Sequence, residues 1–201
     1  MTKALTAKAP TARERLLSAA NELFYAEGVQ SVGIDRIIER AGVAKASLYN
    51  TFGGKEQLIR AYLDSRYARM SARLLRAVEG ADGPRERLLA VFDAQTALFS
   101  EQGFHGCAFL AASAEAKRGG TIEEVSDLYR AWVRALLTDL AREAGAPDPA
   151  SLARQLQLLY DGGSVSARMD RDPSAGAVAR QAAGLLIDAA LASGPAERPV
   201  S

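Results

Sequence analysis

The stretch Lys45-Ala-Ser-Leu-Tyr-Asn-Thr-Phe52 gathers side chains suited to holding nucleic acid. Lys45, Ser47, Tyr49, Asn50 and Thr51 supply a cation and hydrogen-bond donors, and Ala46 is small enough for close approach. No carboxylate interrupts the run to repel phosphate. Lys55 follows at the start of the next apolar-periodic segment, where free backbone amides already favour an anion. Leu48 and Phe52, four apart, fall on one helical face and would anchor the segment to a core.

Catalytic chemistry is thinly provided. The chain has one histidine, His105, and one cysteine, Cys107. That excludes an internal disulfide framework and a Cys-rich zinc module. No Glu-x-x-His pair, glycine-rich phosphate loop or nucleophile with a credible base is present, so the expectation is no enzyme, no metal and no cofactor. A signal-peptide core is missing from residues 1–10, and no stretch approaches eighteen uncharged apolar residues. A cytoplasmic protein without a membrane contact is expected.

The elements that must position these residues are all helical. Thr11-Ala-Arg-Glu14 has capping-box spacing and opens a helix with Leu16, Ala20, Leu23 and Phe24 on one side, stopped by Gly28. Ile34, Ile37, Ile38 and Ala41 form a second short helix ending at Gly42. Gly42-Val43-Ala44 is then a three-residue turn into the Lys45–Phe52 helix. Two short helices so joined make a helix-turn-helix, whose second helix enters the DNA major groove. Gly53-Gly54 breaks the third helix, and a long helix runs from Lys55 to about residue 78 with Leu58, Tyr62, Met70 and Leu74 inward.

After the Gly80–Pro84 turn, Leu88, Phe92, Gln95 and Phe99 line a helix stopping near Gly103. A short helix covers about 107–116. Thr121-Ile-Glu-Glu124 repeats the capping-box spacing and predicts a helix burying Val125, Leu128, Trp132, Leu136 and Leu140. Asp148-Pro149 and Asp172-Pro173 each read as an N-cap followed by proline in the first turn. Their helices run to about Met169 and Ala192. The fold class is all-α with about nine helices, and no segment has strand periodicity. The organisation is a flexible arm (1–10), a helix-turn-helix unit (11–55), a helical ligand-binding and dimerisation body (56–192) and a disordered tail (193–201).

Ala41-Gly-Val-Ala-Lys-Ala-Ser-Leu-Tyr-Asn-Thr-Phe-Gly-Gly-Lys-Glu-Gln-Leu58 resembles the signature of the TetR family of bacterial transcription regulators. The resemblance covers residues 11–60; the other 140 or so agree only in being helical and of suitable length. It implies a three-helix DNA-binding head, a helical body that binds a small-molecule effector, and a homodimer on a palindromic operator in double-stranded DNA. By position, Lys45, Ala46 and Tyr49 match base contacts, while Ser47, Asn50, Thr51 and Lys55 match phosphate contacts. Gly33 stands where the family often has threonine and Ala44 where it often has serine. Each loses a hydroxyl that could hold phosphate, so somewhat weaker DNA anchoring is expected.

An effector pocket is expected among the helices after Pro84, where aromatics accompany isolated polar groups. Its candidate residues are Phe92, Gln95, Phe99, Phe104, His105, Cys107, Tyr129, Trp132 and Tyr160, and the expected ligand is small and apolar or aromatic. Gly106-Cys107 before a short helix also resembles an arrangement in family members that sense electrophiles. A lone cysteine among Ala, Phe and Leu more often reads as an inert buried hydrophobe. The last two helices are expected to carry the dimer interface through Leu152, Leu156, Leu159, Gly162, Gly163, Val178, Ala182, Leu185, Leu186 and Ala189.

Charge agrees with a division of labour. Residues 1–60 hold nine Lys/Arg against six Asp/Glu, and residues 61–201 hold sixteen against eighteen. The net charge of +1 thus sums a head of +3 and a body of −2. An acidic body suppresses indiscriminate phosphate binding and leaves a modestly basic head to find its site. A ligand-responsive repressor is the leading reading. The alternative is a small-molecule sensor whose head does not read DNA, and an enzyme in a helical scaffold is a third class.

Overall fold

The structure, a computed structural model, describes residues 9–116 and 119–193. Most of the expected arm and nearly all of the expected tail lie outside the described residues. Nine helices and no strand are found among those described.

Helix α1 (Ala12–Glu27) opens on the expected capping box. Thr11 Oγ1 accepts the Glu14 amide at 3.2 Å, and the Glu14 carboxylate accepts the Thr11 N–H at 2.7 Å. Helix α2 (Ile34–Ala41) ends at Gly42, whose φ of 62° lies in the left-handed region. That conformation turns the chain sharply enough for α3 (Lys45–Phe52) to start three residues later. Leu16, Ala20, Ile37, Leu48 and Phe52 are buried together, so the three helices share one core. Arg36 with Glu27 at 2.5 Å and Arg40 with Glu22 at 2.7 Å brace α2 against α1 from outside.

Helix α4 (Lys55–Glu79) carries the chain into the body. The body goes on through α5 (Pro84–Phe99), α6 (Ala108–Ala114), α7 (Thr121–Glu143), α8 (Pro149–Met169) and α9 (Ala175–Ala192). Helix α5 is the central member, packing on α4, α7, α8 and α9. Leu88, Val91 and Phe92 are accordingly closed off from solvent. The buried core runs without interruption from Leu16 to Ile187.

Several local expectations need correction. Helix α7 buries Val125, Tyr129, Val133, Leu137 and Leu140, while Leu128 is 53% exposed and Trp132 and Leu136 are half-buried. The sequence offers two overlapping apolar stripes. The one containing Tyr129 turns inward, where its hydroxyl meets that of Tyr160 at 2.9 Å. Thr121 forms no capping box. Gly120 is the N-cap, Thr121 Oγ1 donates to Glu56, and Glu124 pairs with Arg60, so tertiary partners outbid the local motif. Asp148 does cap α8, accepting the Ser151 amide at 2.9 Å. Asp172 instead accepts from Ser174 N–H and hydroxyl, and α9 starts only at Ala175. Helix α5 stops at Phe99, short of Gly103, and Cys107 is the N-cap of α6.

Helix α9 is long and apolar enough to cross a membrane, with mean hydropathy of 1.2 over its 18 residues. Its two charges are nevertheless used against α5: Arg180 pairs with Asp93 at 2.5 Å and Asp188 with Arg85 at 2.6 Å. Gly176 marks the close approach of the same two helices, because a Cβ there would lie 2.8 Å from the Thr96 Cα.

Candidate DNA-reading helix and interior cavity

Leu48 and Phe52 root α3 in the head core, and that rooting decides which side chains are free. Lys45, Ala46, Asn50 and Thr51 are exposed, Tyr49 is 46% exposed, and Ser47 is half-buried. Ala44 and Gly33 provide no side-chain cap to α3 and α2. The Lys45 and Ala46 amides therefore stay open to an acceptor from outside the chain, while the Ser47 N–H donates to the Ala44 carbonyl at 2.9 Å. Lys45 Nζ sits 3.0 Å from Asp35 Oδ1, and this hydrogen bond raises its pKa. Both partners are exposed, so the pair holds the lysine weakly and can yield it to a phosphate. Lys55 is placed differently. Its amine donates to the Gln30 carbonyl at 3.2 Å, and partial burial lowers its pKa.

A cavity of about 390 Å³ lies in the body, bounded by α4 to α8 and by Tyr25 of α1. Gln95, Phe99, Cys107, Tyr129 and Tyr160 line it, as expected from the sequence. Phe92, Phe104, His105 and Trp132 do not line it. Phe92 is sealed in the core, and Phe104 lies against Phe99 with ring centroids 4.9 Å apart. His105 packs edge-on to Tyr25 at 5.4 Å, and Trp132 packs on Tyr67 at 5.8 Å. Phe104, His105 and Trp132 thus each spend their ring on an aromatic neighbour.

The wall missed by sequence reasoning is on α4. Arg66, Arg69, Met70 and Arg73 line the cavity from positions three, four and seven apart, one helical face. Met70 already marked that face as inward, so the signal was present but masked by arginine's usual place in solvent. Phe109, Arg130 and Asp161 are also among the unforeseen lining residues. Phe109 stacks on Tyr129 at 4.0 Å with an interplanar angle of 11°. Burial pushes the Tyr129 and Tyr160 hydroxyls well above the ordinary phenol pKa, so both stay protonated. Burial also pushes up the Cys107 thiol, while the Leu110 and Phe109 amides pull weakly the other way. The sulfur is thus held as a neutral thiol, the less nucleophilic form.

The cavity and the head are physically joined. Tyr25 of α1 donates its hydroxyl to the Gly106 carbonyl at 2.9 Å and accepts the His105 amide at 3.1 Å. At the other end of α6, the C-cap residue Glu115 accepts the Gln30 amide at 2.7 Å. Helix α6 therefore has both ends tied to the head, and Cys107 to Leu110 on it line the cavity.

A helix-turn-helix head with an exposed, carboxylate-free second helix on an all-helical body defines a DNA-binding transcription regulator. The family model for bacterial regulatory proteins of the tetR family matches residues 16–62. The fold matches SCO4454, a TetR-family transcriptional regulator from Streptomyces coelicolor, with a TM-score of 0.81 and 33% identity. That match covers 90% of this chain and 95% of the other. A regulator from Streptomyces avermitilis matches with a TM-score of 0.81 and 35% identity, over 90% of this chain and 98% of that one. The chain belongs to the TetR family of bacterial regulatory proteins. Among curated relatives, the transcriptional regulator LmrA of Bacillus subtilis is 31% identical over 60% of this chain and 66% of its own. The repressor NemR of Escherichia coli is 31% identical over 51% of this chain and 53% of its own. The chain thus spans less than two-thirds of the length of these curated relatives.

Proposed function

We propose that this regulator is a cytoplasmic homodimeric repressor, released from a palindromic operator when a small organic molecule fills the body cavity. The observation that carries the reading is the union of two surfaces through α1, α4 and α6. One is the exposed face of α3, and the other is a cavity whose walls hydrogen-bond to the helices that hold α3. In this reading Lys45, Ala46 and Tyr49 meet base edges, while Ser47, Asn50, Thr51 and Lys55 meet phosphates. Lys55 must leave the Gln30 carbonyl to do so. Residues 11–55 act as the reading unit and 56–192 as the sensing and pairing unit. Gln95, Phe99, Cys107, Tyr129 and Tyr160 touch the effector.

The dimer reading is supported by α8 and α9, where Leu158 is 73% and Leu185 is 68% exposed, with Val178 exposed beside them. Leu152, Leu156 and Gly163, expected at this interface, are instead closed inside the protomer's own core. Two-fold pairing doubles the base contacts at a fixed half-site spacing. Effector binding would shift α4 and change the separation of the two heads, so that both no longer fit successive major grooves. A footprinting titration on DNA upstream of the chain's own coding region tests this. A two-fold symmetric protected site with half-sites about one helical turn apart is expected. No sequence-selective protection below micromolar protein would overturn it.

A second reading, a sensor whose head does not read DNA, draws on the missing hydroxyls at Gly33 and Ala44. In that case Lys45→Ala with Tyr49→Ala would leave the regulatory output in cells unchanged.

A further inference from the structure

Four arginines line the cavity, and their partners divide them into two kinds. Arg73 pairs with Glu101, and Arg130 pairs with Asp161 at 2.8 Å. Arg66 and Arg69 have no carboxylate partner among the described residues, and each reaches only a neutral oxygen of Asn21. Arg66 Nη2 donates to the Asn21 carbonyl at 3.2 Å, and Arg69 Nη2 donates to Asn21 Oδ1 at 3.1 Å. Arg66 Nε is buried with no hydrogen-bond partner at all. Its guanidinium carbon lies 3.6 Å over the Tyr25 ring, which occupies one face of the group. A stacked guanidinium offers its N–H edge, and that edge matches a carboxylate.

Arg66 is half-buried with its Nε shut off from water and Arg69 is exposed beside it, and a partly desolvated cation without a counter-ion gains from an anion supplied from outside. Burial lowers the Arg66 pKa, and the like charge of Arg69 adds to that pressure. Two acids remain on the lining. Asp127 stands in water, and Glu123 accepts the Gly119 N–H, so neither answers Arg66. We infer that the effector is an organic carboxylate: its anionic group docks on Arg66 beside Arg69, and its apolar or aromatic part lies against Met70, Phe99 and Phe109.

A second group sharpens the class. Gln95 is buried, its Nε2 donates to the Tyr160 carbonyl at 2.7 Å, and its Oε1 has no partner. Because only the amide nitrogen can donate to that carbonyl, the orientation is fixed, and the acceptor oxygen of this cavity-lining side chain is left without a partner. An acid that also bears a hydrogen-bond donor would satisfy both sites. The anion site also has a route to the head. Arg66 bonds to Asn21 and stacks on Tyr25, both on α1, so an anion drawing its N–H edge into the cavity loosens that hold.

The inference rests on the cavity being the effector site, and the test separates the two. Calorimetry with the full-length protein would compare 4-hydroxyphenylacetate with 4-hydroxyphenylacetamide and tyramine, and octanoate with octanamide and octylamine. Neutral Nile red would report cavity occupancy independently. In at least one series the acid should bind at least about tenfold tighter than its amide, the scale of a charge-assisted hydrogen bond. Arg66→Gln should erase that preference and leave amide binding unchanged. If that variant does not fold, the acid-to-amide ratio of the native protein still decides. If in neither series the acid binds at least about tenfold tighter than its amide and amine, the carboxylate assignment is overturned while the cavity reading stands. The same follows from Nile red binding with all six probes silent; if Nile red and all six fail to bind, both fall.

Discussion

On α3, Lys45, Asn50 and Thr51 stand in water, and Lys45 shares its charge with Asp35 across 3.0 Å. In the cavity, Gln95 and Arg66 each bury an atom that has no partner. Both regions gather polar side chains, yet the free energy of leaving them unoccupied differs. Exposed donors lose little without DNA, because water replaces the phosphate. Buried donors and acceptors without partners carry a standing desolvation cost that a matching ligand relieves. A reading surface of the first kind can let go of DNA, and a sensing surface of the second kind gains from being filled. Placed on one chain and joined through α1, α4 and α6, they are the two surfaces on which the proposed switch rests.

Removing the support beneath the reading surface should have the largest effect. Leu48 has no exposed area, so Leu48→Ala should cost about 2–5 kcal/mol and abolish DNA binding. Thermal melting and anisotropy on the same preparation check this, and retained DNA affinity would break the link between α3 anchoring and reading. Next comes the body. Gly176→Ala drives a methyl to within 2.8 Å of the Thr96 Cα, and about 1–3 kcal/mol of destabilisation is expected. The α5–α9 contact should loosen, seen as faster amide exchange along both helices.

A smaller effect is expected at Lys45. Lys45→Ala should weaken operator binding by about 1–3 kcal/mol if the lysine reads a base, with relaxed preference at one position. If it holds a phosphate, the loss is uniform across sequences and the salt dependence falls by about one charge. Either outcome should leave calorimetric ligand binding untouched, which sharpens the separation of the two surfaces. The smallest effect is at the α1 cap, where Thr11→Ala should cost about 0.5–2 kcal/mol. The Thr11 N–H and hydroxyl lower the Glu14 pKa. A lowered carboxylate pKa in the folded state contributes stability above the ordinary value, lost as pH falls through the depressed one. The melting-temperature gap between native protein and Glu14→Gln should therefore close in acid.

The two regions also differed in how much the sequence disclosed. Helix α3 was legible to the residue, because Leu48 and Phe52 fix its orientation and Gly42 and Gly53 fix its ends. Local chemistry dictates that unit. The cavity was half legible: Gln95, Phe99, Cys107, Tyr129 and Tyr160 line it, but Phe92 is sealed in the core and Phe104, His105 and Trp132 spend their rings on other aromatics. Arg66, Arg69 and Arg73 escaped notice because arginine on a helix ordinarily signals solvent. The packing of α4 against α1, α5, α6 and α7 sets that stripe along the cavity wall. The α7 register failed for a related reason. Two apolar stripes ran one position apart, and the Tyr129–Tyr160 hydroxyl pair, a tertiary contact, selected between them. Thr121 lost its capping role in the same way, to a glutamate on another helix.

The central claim, that the exposed face of α3 reads a specific DNA sequence, is tested most directly by fluorescence anisotropy. The native protein and the Lys45→Ala, Tyr49→Ala double variant would be titrated into labelled upstream DNA and a shuffled duplex of equal composition. Salt concentration would be held fixed throughout. The native protein should prefer the upstream duplex by orders of magnitude, and the variant should lose that preference while keeping its melting temperature. Equal affinity of the native protein for both duplexes, or a variant that still discriminates, would contradict the account.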